Sequence, residues 1–244
     1  MKIEPATLVE TIAASVPGAM AVFDSVGIDY ACGARLSLRE AAEIAGMDPA
    51  TLATVLQALA PADKPTEWSE RSLTDIARQI TAEHHAMIRD QLPRIALGLA
   101  SHCGVNRRPA DLSVLRAELA RLSGEIIPHL HDEERNVFQF VEAMEAAWQR
   151  NEPPPPLDHG LRKRIGDLTV AHGSIAERLH RIRNLRLGVN SDTDVAPDCR
   201  ATLELLEKFE SHLHQQMFIE NCIFFPRALA LAEQLSGSAT NATA

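Results

Sequence analysis

Aromatic residues are scarce in this chain, at 4% of 244 residues with a single tyrosine. Alanine and leucine dominate instead, a balance that favours packed helices over sheets. No apolar run approaches the roughly 18 residues that a bilayer-spanning helix needs. The opening Met1-Lys2-Ile3-Glu4-Pro5 begins no apolar leader segment. Basic residues are also in deficit: 24 Lys and Arg stand against 33 Asp and Glu, a net charge of −9. That deficit argues against nucleic acid as the main partner. It suits a protein that binds cations or keeps away from anionic membranes. The four cysteines, Cys32, Cys103, Cys199 and Cys222, form no CxxC pair. They read as reduced thiols of the cytoplasm, and not as a disulfide framework or a zinc ribbon. Phosphate loops, nucleotide fingerprints and nucleophile–base motifs are missing too. What the chain does have is 45% hydrophobic residues and enough length to bury a substantial core.

Residues 1–62 read as a small helical N-terminal domain. Helical stretches at 8–15 and 19–24 precede a break at Gly27–Gly33. Ser37 then stands three residues before Glu40, the spacing of a capping box. Asp48-Pro49 opens a further helix to about Leu59, and the Pro61–Pro65 stretch reads as a linker. Four long tracts follow at 72–102, 110–149, 158–187 and 198–235. Each carries apolar residues at three- and four-residue spacing, as in Leu115, Leu119, Leu122 and Ile126. Pro93 should kink the first tract, and the prolines at 153–156 end the second. Amphipathic helices of about 30 residues joined by short breaks make a four-helix bundle. The expected fold is all-α, with the bundle at 68–235 and a small, polar, disordered tail at 236–244.

Each bundle tract carries metal-ligand chemistry near its middle. His84 and His85 lie in the first, His129 and Glu133 in the second, His172 in the third and Glu220 in the fourth. A helix turns about 100° per residue, so His129 and Glu133 project from one face a turn apart. Glu220 lies in the run Phe218-Ile219-Glu220-Asn221-Cys222-Ile223-Phe224-Phe225. A carboxylate among such residues is costly unless a cation sits beside it. Antiparallel helices would bring these side chains to one level. Imidazoles with carboxylates suit iron, manganese or zinc, and two carboxylates able to bridge favour a pair of irons. A lone histidine is more often surface or satisfied core than a ligand, and His102, His131, His159 and His180 are read that way. An isolated His-x-x-x-Glu is also a common solvated pair. Agreement across four helices is what separates this set from chance.

On these motifs the chain resembles the hemerythrin-like di-iron proteins that repair iron–sulfur centres. That group includes nitric-oxide-binding members encoded with denitrification genes. The resemblance covers residues 5–230. Gly27-Ile28-Asp29-Tyr30-Ala31-Cys32-Gly33 is similar to the family's leading-domain motif G-x-D-Y-C-C-G-G. His85 stands ahead of Gln91-Leu92-Pro93, and Glu220 ahead of Phe225-Pro226-Arg227-Ala228-Leu229, as the family's ligands do. The resemblance implies that Glu133 and Glu220 bridge two irons while His85, His129 and His172 cap them. It implies stress-response function: protecting or rebuilding damaged iron–sulfur proteins, and binding nitric oxide or dioxygen. A cytoplasmic nitric oxide scavenger or sensor without repair activity, a hemerythrin-type oxygen carrier and a nitric oxide reductase are the competing readings. The chain reads as a metal- and nitric-oxide-binding protein more than as a conventional enzyme. Oligomeric state is left open, a homodimer included.

The chain departs from that family in two places. The family's histidine four residues before the last glutamate is Gln216 here. The sixth ligand position is therefore open between Gln216 and His214. His214 lies about 120° and roughly 9 Å from Glu220 on a regular helix, so it needs a bulge to reach inward. An amide oxygen is a poor iron ligand beside imidazole, which leaves one iron to bind weakly, to take water in its sixth position, or to be absent. In the leading domain, Ala31 and Ala34 replace a cysteine and a glycine. Cys32 is left to act as a reactive thiol if exposed with a lowered pKa, or as a small buried residue. Glu125 and His84 are read as neighbours of the ligands, a solvated charge and a packing residue being the plainer alternatives.

Overall fold

The computed structural model describes residues 1–32, 35–60, 68, 70–102, 109–152, 155, 160–190 and 196–241. Its described residues form eight helices and no sheet, the one β-bridge joining Leu8 and Ser37. Four short helices come first: α1 (Val9–Ser15), α2 (Ala19–Val26), α3 (Leu38–Ile44) and α4 (Pro49–Leu59). Ser37 and Glu40 form the expected capping box on α3, and Asp48 caps α4 by accepting from the Thr51 amide at 2.8 Å. Ile12, Phe23, Leu38 and Leu56 are fully buried. They belong to one hydrophobic core that continues into the bundle.

Four long helices make the bundle: α5 over 73–102, α6 over 109–150, α7 (Gly160–Asn190) and α8 over 197–241. The start of α5 is held twice. Ser72 accepts from the Asp75 amide, and Glu145 of α6 accepts from the amides of Leu73 and Thr74 at 2.8 Å each. Leu115, Leu119, Leu122 and Ile126 all face the core, as their spacing predicts. Pro93 lies inside α5 without ending it. α5 packs along α8, and α6 along α7. At one crossing Gly98 is needed, because a Cβ there would meet Thr202 Oγ1 at 2.6 Å. Gly98→Ala should therefore lower stability by about 1–3 kcal/mol, with thermal melting as the readout and Thr202→Ala as the relieving second change.

The small unit packs on the α7–α8 side of the bundle. Arg183 donates to the Ser25 carbonyl at 3.1 Å, and His214 Nδ1 lies 3.3 Å from Asp24 Oδ1. The Tyr30 ring sets its edge against Phe218 at 5.9 Å between centroids. Gly27 ends α2 in the left-handed region, with φ of 78°. That conformation favours glycine, while the Arg183 guanidinium, 3.6 Å from where a Cβ would stand, is at ordinary contact distance.

Two expectations are corrected. α8 continues as helix to Asn241, so the disorder read from 236 does not begin there. No proline interrupts that stretch, and Ser236 Oγ donates back to the Ala232 carbonyl at 2.8 Å. Cys199 is disulfide-bonded, whereas Cys32 and Cys222 are free thiols. The Pro61–Pro65 linker, Gly33, Ala34, Cys103, His159 and all but Pro155 of the proline run lie outside the described residues.

Candidate metal centre

The four long helices bring His85, His129, Glu133, His172, Gln216 and Glu220 into one buried cluster. Three of the helices change their winding where they reach it. Wider π-turns span Ile80–His85 in α5, Glu133–Phe138 in α6 and Ile219–Phe224 in α8. Each holds a cluster residue: His85, Glu133 and Glu220. A π-turn inserts an extra residue and re-aims side chains, and such turns are frequent at functional sites.

The two carboxylates are shared between two sets of imidazoles. Glu133 Oε1 lies 3.1 Å from His129 Nε2 and 3.2 Å from His172 Nε2. Its other oxygen, Oε2, lies 3.4 Å from His85 Nε2. Glu220 divides likewise, with Oε2 3.3 Å from His172 Nε2 and Oε1 3.8 Å from His85 Nε2. Two groups of donor atoms follow, each within 4.8 Å: His129, Glu133 and His172, and His85, Glu133 and Glu220. Metal–nitrogen and metal–oxygen bonds run about 2.0–2.2 Å, so donors at right angles on one ion stand about 3 Å apart. The spacing fits that requirement at both groups.

The cluster's polar atoms also lack partners. His85 Nε2, His129 Nε2, Glu133 Oε2, Glu220 Oε2 and Gln216 Oε1 are buried without a well-formed hydrogen bond. Buried polar groups are nearly always satisfied, and a convergent set of orphans points to an ion. The charges agree. Burial works to raise Glu133, yet the charge of His129 and the three imidazoles close around it hold it well below the carboxylate range. Glu220 is raised by burial and by repulsion from Glu133. Burial works against a protonated His85, but Glu133 and Glu220 hold its pKa up at about 10. Two carboxylates in one dry space require cationic charge, which a bound metal would supply.

The His85 and His172 imidazoles are each held by more than the nitrogen that faces the carboxylates. Glu134 accepts from His85 Nδ1 at 2.7 Å and from Arg89 at 2.9 Å. Asn221 Oδ1 stands 2.8 Å from His172 Nδ1. The His85 ring stacks on Phe138 and the His172 ring on Phe225, at 5.7 and 5.9 Å between centroids. Such partners fix the tautomer and orientation of a ligating imidazole. Sequence reasoning passed over Glu134, whose only sign is its place beside Glu133.

The remaining sequence candidates stand elsewhere. Gln216 is buried, its amide 3.0 Å from Glu220 Oε1. His214 points to Asp24 and stacks near Tyr30, because the helix stays α-helical through Phe218. Glu125 is exposed and pairs with Arg178, as a solvated helix charge does. His84 turns its ring to His212, 6.4 Å between centroids. Cys32 is tucked against Met217 Sδ at 3.9 Å, and burial, with Asp29 nearby, pushes its thiol up. The low-pKa exposed thiol is thereby corrected to a packed one. His131 is exposed and His180 bonds Asn184.

Comparison with known proteins agrees with this arrangement. Residues 6–60 match ScdA_N, a domain of unknown function (DUF542). The iron–sulfur cluster repair protein YtfE of Edwardsiella ictaluri is 27% identical over 223 residues, 89% of this chain and 94% of that protein. Its namesake in Yersinia pseudotuberculosis is 25% identical over 220 residues, with the same coverage. Residues 76–228, more than half of the chain, match the hemerythrin HHE cation-binding domain; the chain belongs to that family.

Proposed function

We propose that this chain is a cytoplasmic di-iron protein of the nitrosative and oxidative stress response, which repairs or protects iron–sulfur centres. One observation carries the reading: two buried carboxylates, each offering one oxygen to each of two imidazole sets, with orphaned donors aimed between them. The relatives' printed name, iron–sulfur cluster repair, supplies the direction of the function. His129, His172, Glu133 and Glu220 would hold one iron. His85 and the other oxygens of the same two carboxylates would hold the second, with Gln216 beside it. Bound ferrous ions with an open position supply coordination of small diatomics such as nitric oxide or dioxygen.

The protein's own groups do the rest. Glu134 and Asn221 keep His85 and His172 aimed at the ion sites, while Phe138, Phe224 and Phe225 exclude water. Glu133 and Glu220 would offset the charge of bound iron. Damaged iron–sulfur proteins are the proposed partners. A second reading, a nitric oxide scavenger without repair activity, is favoured by Gln216, which leaves the His85 side one imidazole short.

Reactivation of a nitric-oxide-damaged iron–sulfur enzyme separates the two. The iron-loaded protein is expected to restore enzyme activity, and the Glu133→Ala variant is not. Nitric oxide uptake without reactivation would overturn the repair reading in favour of the scavenger.

A further inference from the structure

We infer that the leading domain sets the tautomer of His172 through Asn221, and so tunes how firmly the bundle holds its iron. This inference rests on reading the cluster as a metal centre. Asn221 stands where the two units meet. Its Nδ2 donates to the Ala31 carbonyl at 3.0 Å and lies 3.6 Å from Cys32 Sγ. Its Oδ1 lies 2.8 Å from His172 Nδ1.

The direction of the amide follows from its partners. A backbone carbonyl can only accept, so the Ala31 oxygen requires the NH2 end of Asn221 to face the leading domain. The Oδ1 end must then face His172, and an acceptor there requires the proton on Nδ1. That leaves the Nε2 lone pair free toward Glu133 and Glu220, the tautomer a metal needs. The Ala31 carbonyl, with the weaker Cys32 sulfur beside it, is what holds the amide this way round, and both belong to the leading domain. Turned over, the amide's NH2 would face Nδ1 and favour the proton on Nε2, where it blocks ligation.

The loop that presents Ala31 is itself held in place. Asp29 Oδ1 accepts from the amides of Ala31 and Cys32, at 2.9 Å each. Asp29 hydrogen-bonds within its own loop, so any effect of it on iron travels through the loop and Asn221. Packing of Cys32 on Met217 closes the same loop onto α8. The coupling is reciprocal by thermodynamic necessity: a loop that firms the iron is firmed by it.

The test uses the full-length protein loaded with ferrous iron and challenged with a chelator. Asn221→Ala is expected to release iron about tenfold faster, the scale of an orienting partner's loss. Asp29→Ala should move release in the same direction by less, and Asp29→Asn, which keeps the acceptor, should restore the wild-type rate. The double variant should release no faster than Asn221→Ala alone, since both act on one linkage. Hydrogen exchange gives the other side: iron should raise amide protection at residues 28–32 in wild type and not in Asn221→Ala. Rates that multiply in the double variant, or Asp29→Ala releasing iron at the wild-type rate, overturn the inference and leave the metal centre standing. A protein that takes up no iron overturns both.

Discussion

Replacing His129 or Glu133 by alanine is expected to strip most of the iron while leaving the chain helical. Glu133 gives one oxygen to the His129–His172 side and the other to His85, so its loss weakens both ion sites at once. His129 supplies one of two imidazoles on its side only, and its loss should weaken that side first. Affinity should fall at least about tenfold in each case, since even partners beyond the ligands are worth that much. The fold should survive because Leu115, Leu119, Leu122, Ile126 and Leu130 remain buried along the same helix. His131→Ala is the control, its side chain being exposed. Elemental analysis with circular dichroism checks the result. Full iron in either cluster variant would remove that residue from the site.

The second large effect is expected at Gln216. Its amide lies one turn from Glu220, on the side where His85 is the only imidazole. An imidazole binds iron better than an amide oxygen. Gln216→His should therefore slow loss of the second iron by about tenfold or more, on the same scale of ligand effects. It should also slow binding of nitric oxide at that side. His214→Ala should leave iron content unchanged, because His214 faces Asp24 and Tyr30 in the seam with the leading domain. Its loss should be read there instead, as faster hydrogen exchange at residues 24–30. Iron loss in His214→Ala with no gain in Gln216→His would reverse the assignment.

These residues also show how far a sequence carries. The bundle was legible because apolar spacing of three and four repeats through tracts of about 30 residues, and only helix packing satisfies that. The convergence of His85, His129, Glu133, His172 and Glu220 followed from their mid-tract positions and the resemblance. The π-turns were not legible. Nothing in Ile80–His85 or Ile219–Phe224 distinguishes an extra residue per turn from ordinary helix, since the choice is made by tertiary packing. Glu134 was hidden beside Glu133, because two adjacent carboxylates differ in role only through which helix each one meets. Glu125, one turn before His129 and matched by the resemblance, was open between a neighbour of the site and a solvated charge. Arg178 of α7, distant in sequence, draws it to the surface instead. For Cys32 a reactive thiol and a small packed residue were both open, and the choice depends on Met217 and Asn221, both contributed by α8.

The central claim, that two buried carboxylates shared among three imidazoles hold a pair of irons, is tested most directly by anaerobic titration of ferrous iron into the metal-free protein. The account predicts uptake of two equivalents per chain, the second more weakly held in wild type and tightened by Gln216→His. No uptake, or uptake that Glu133→Ala leaves unchanged, would contradict it.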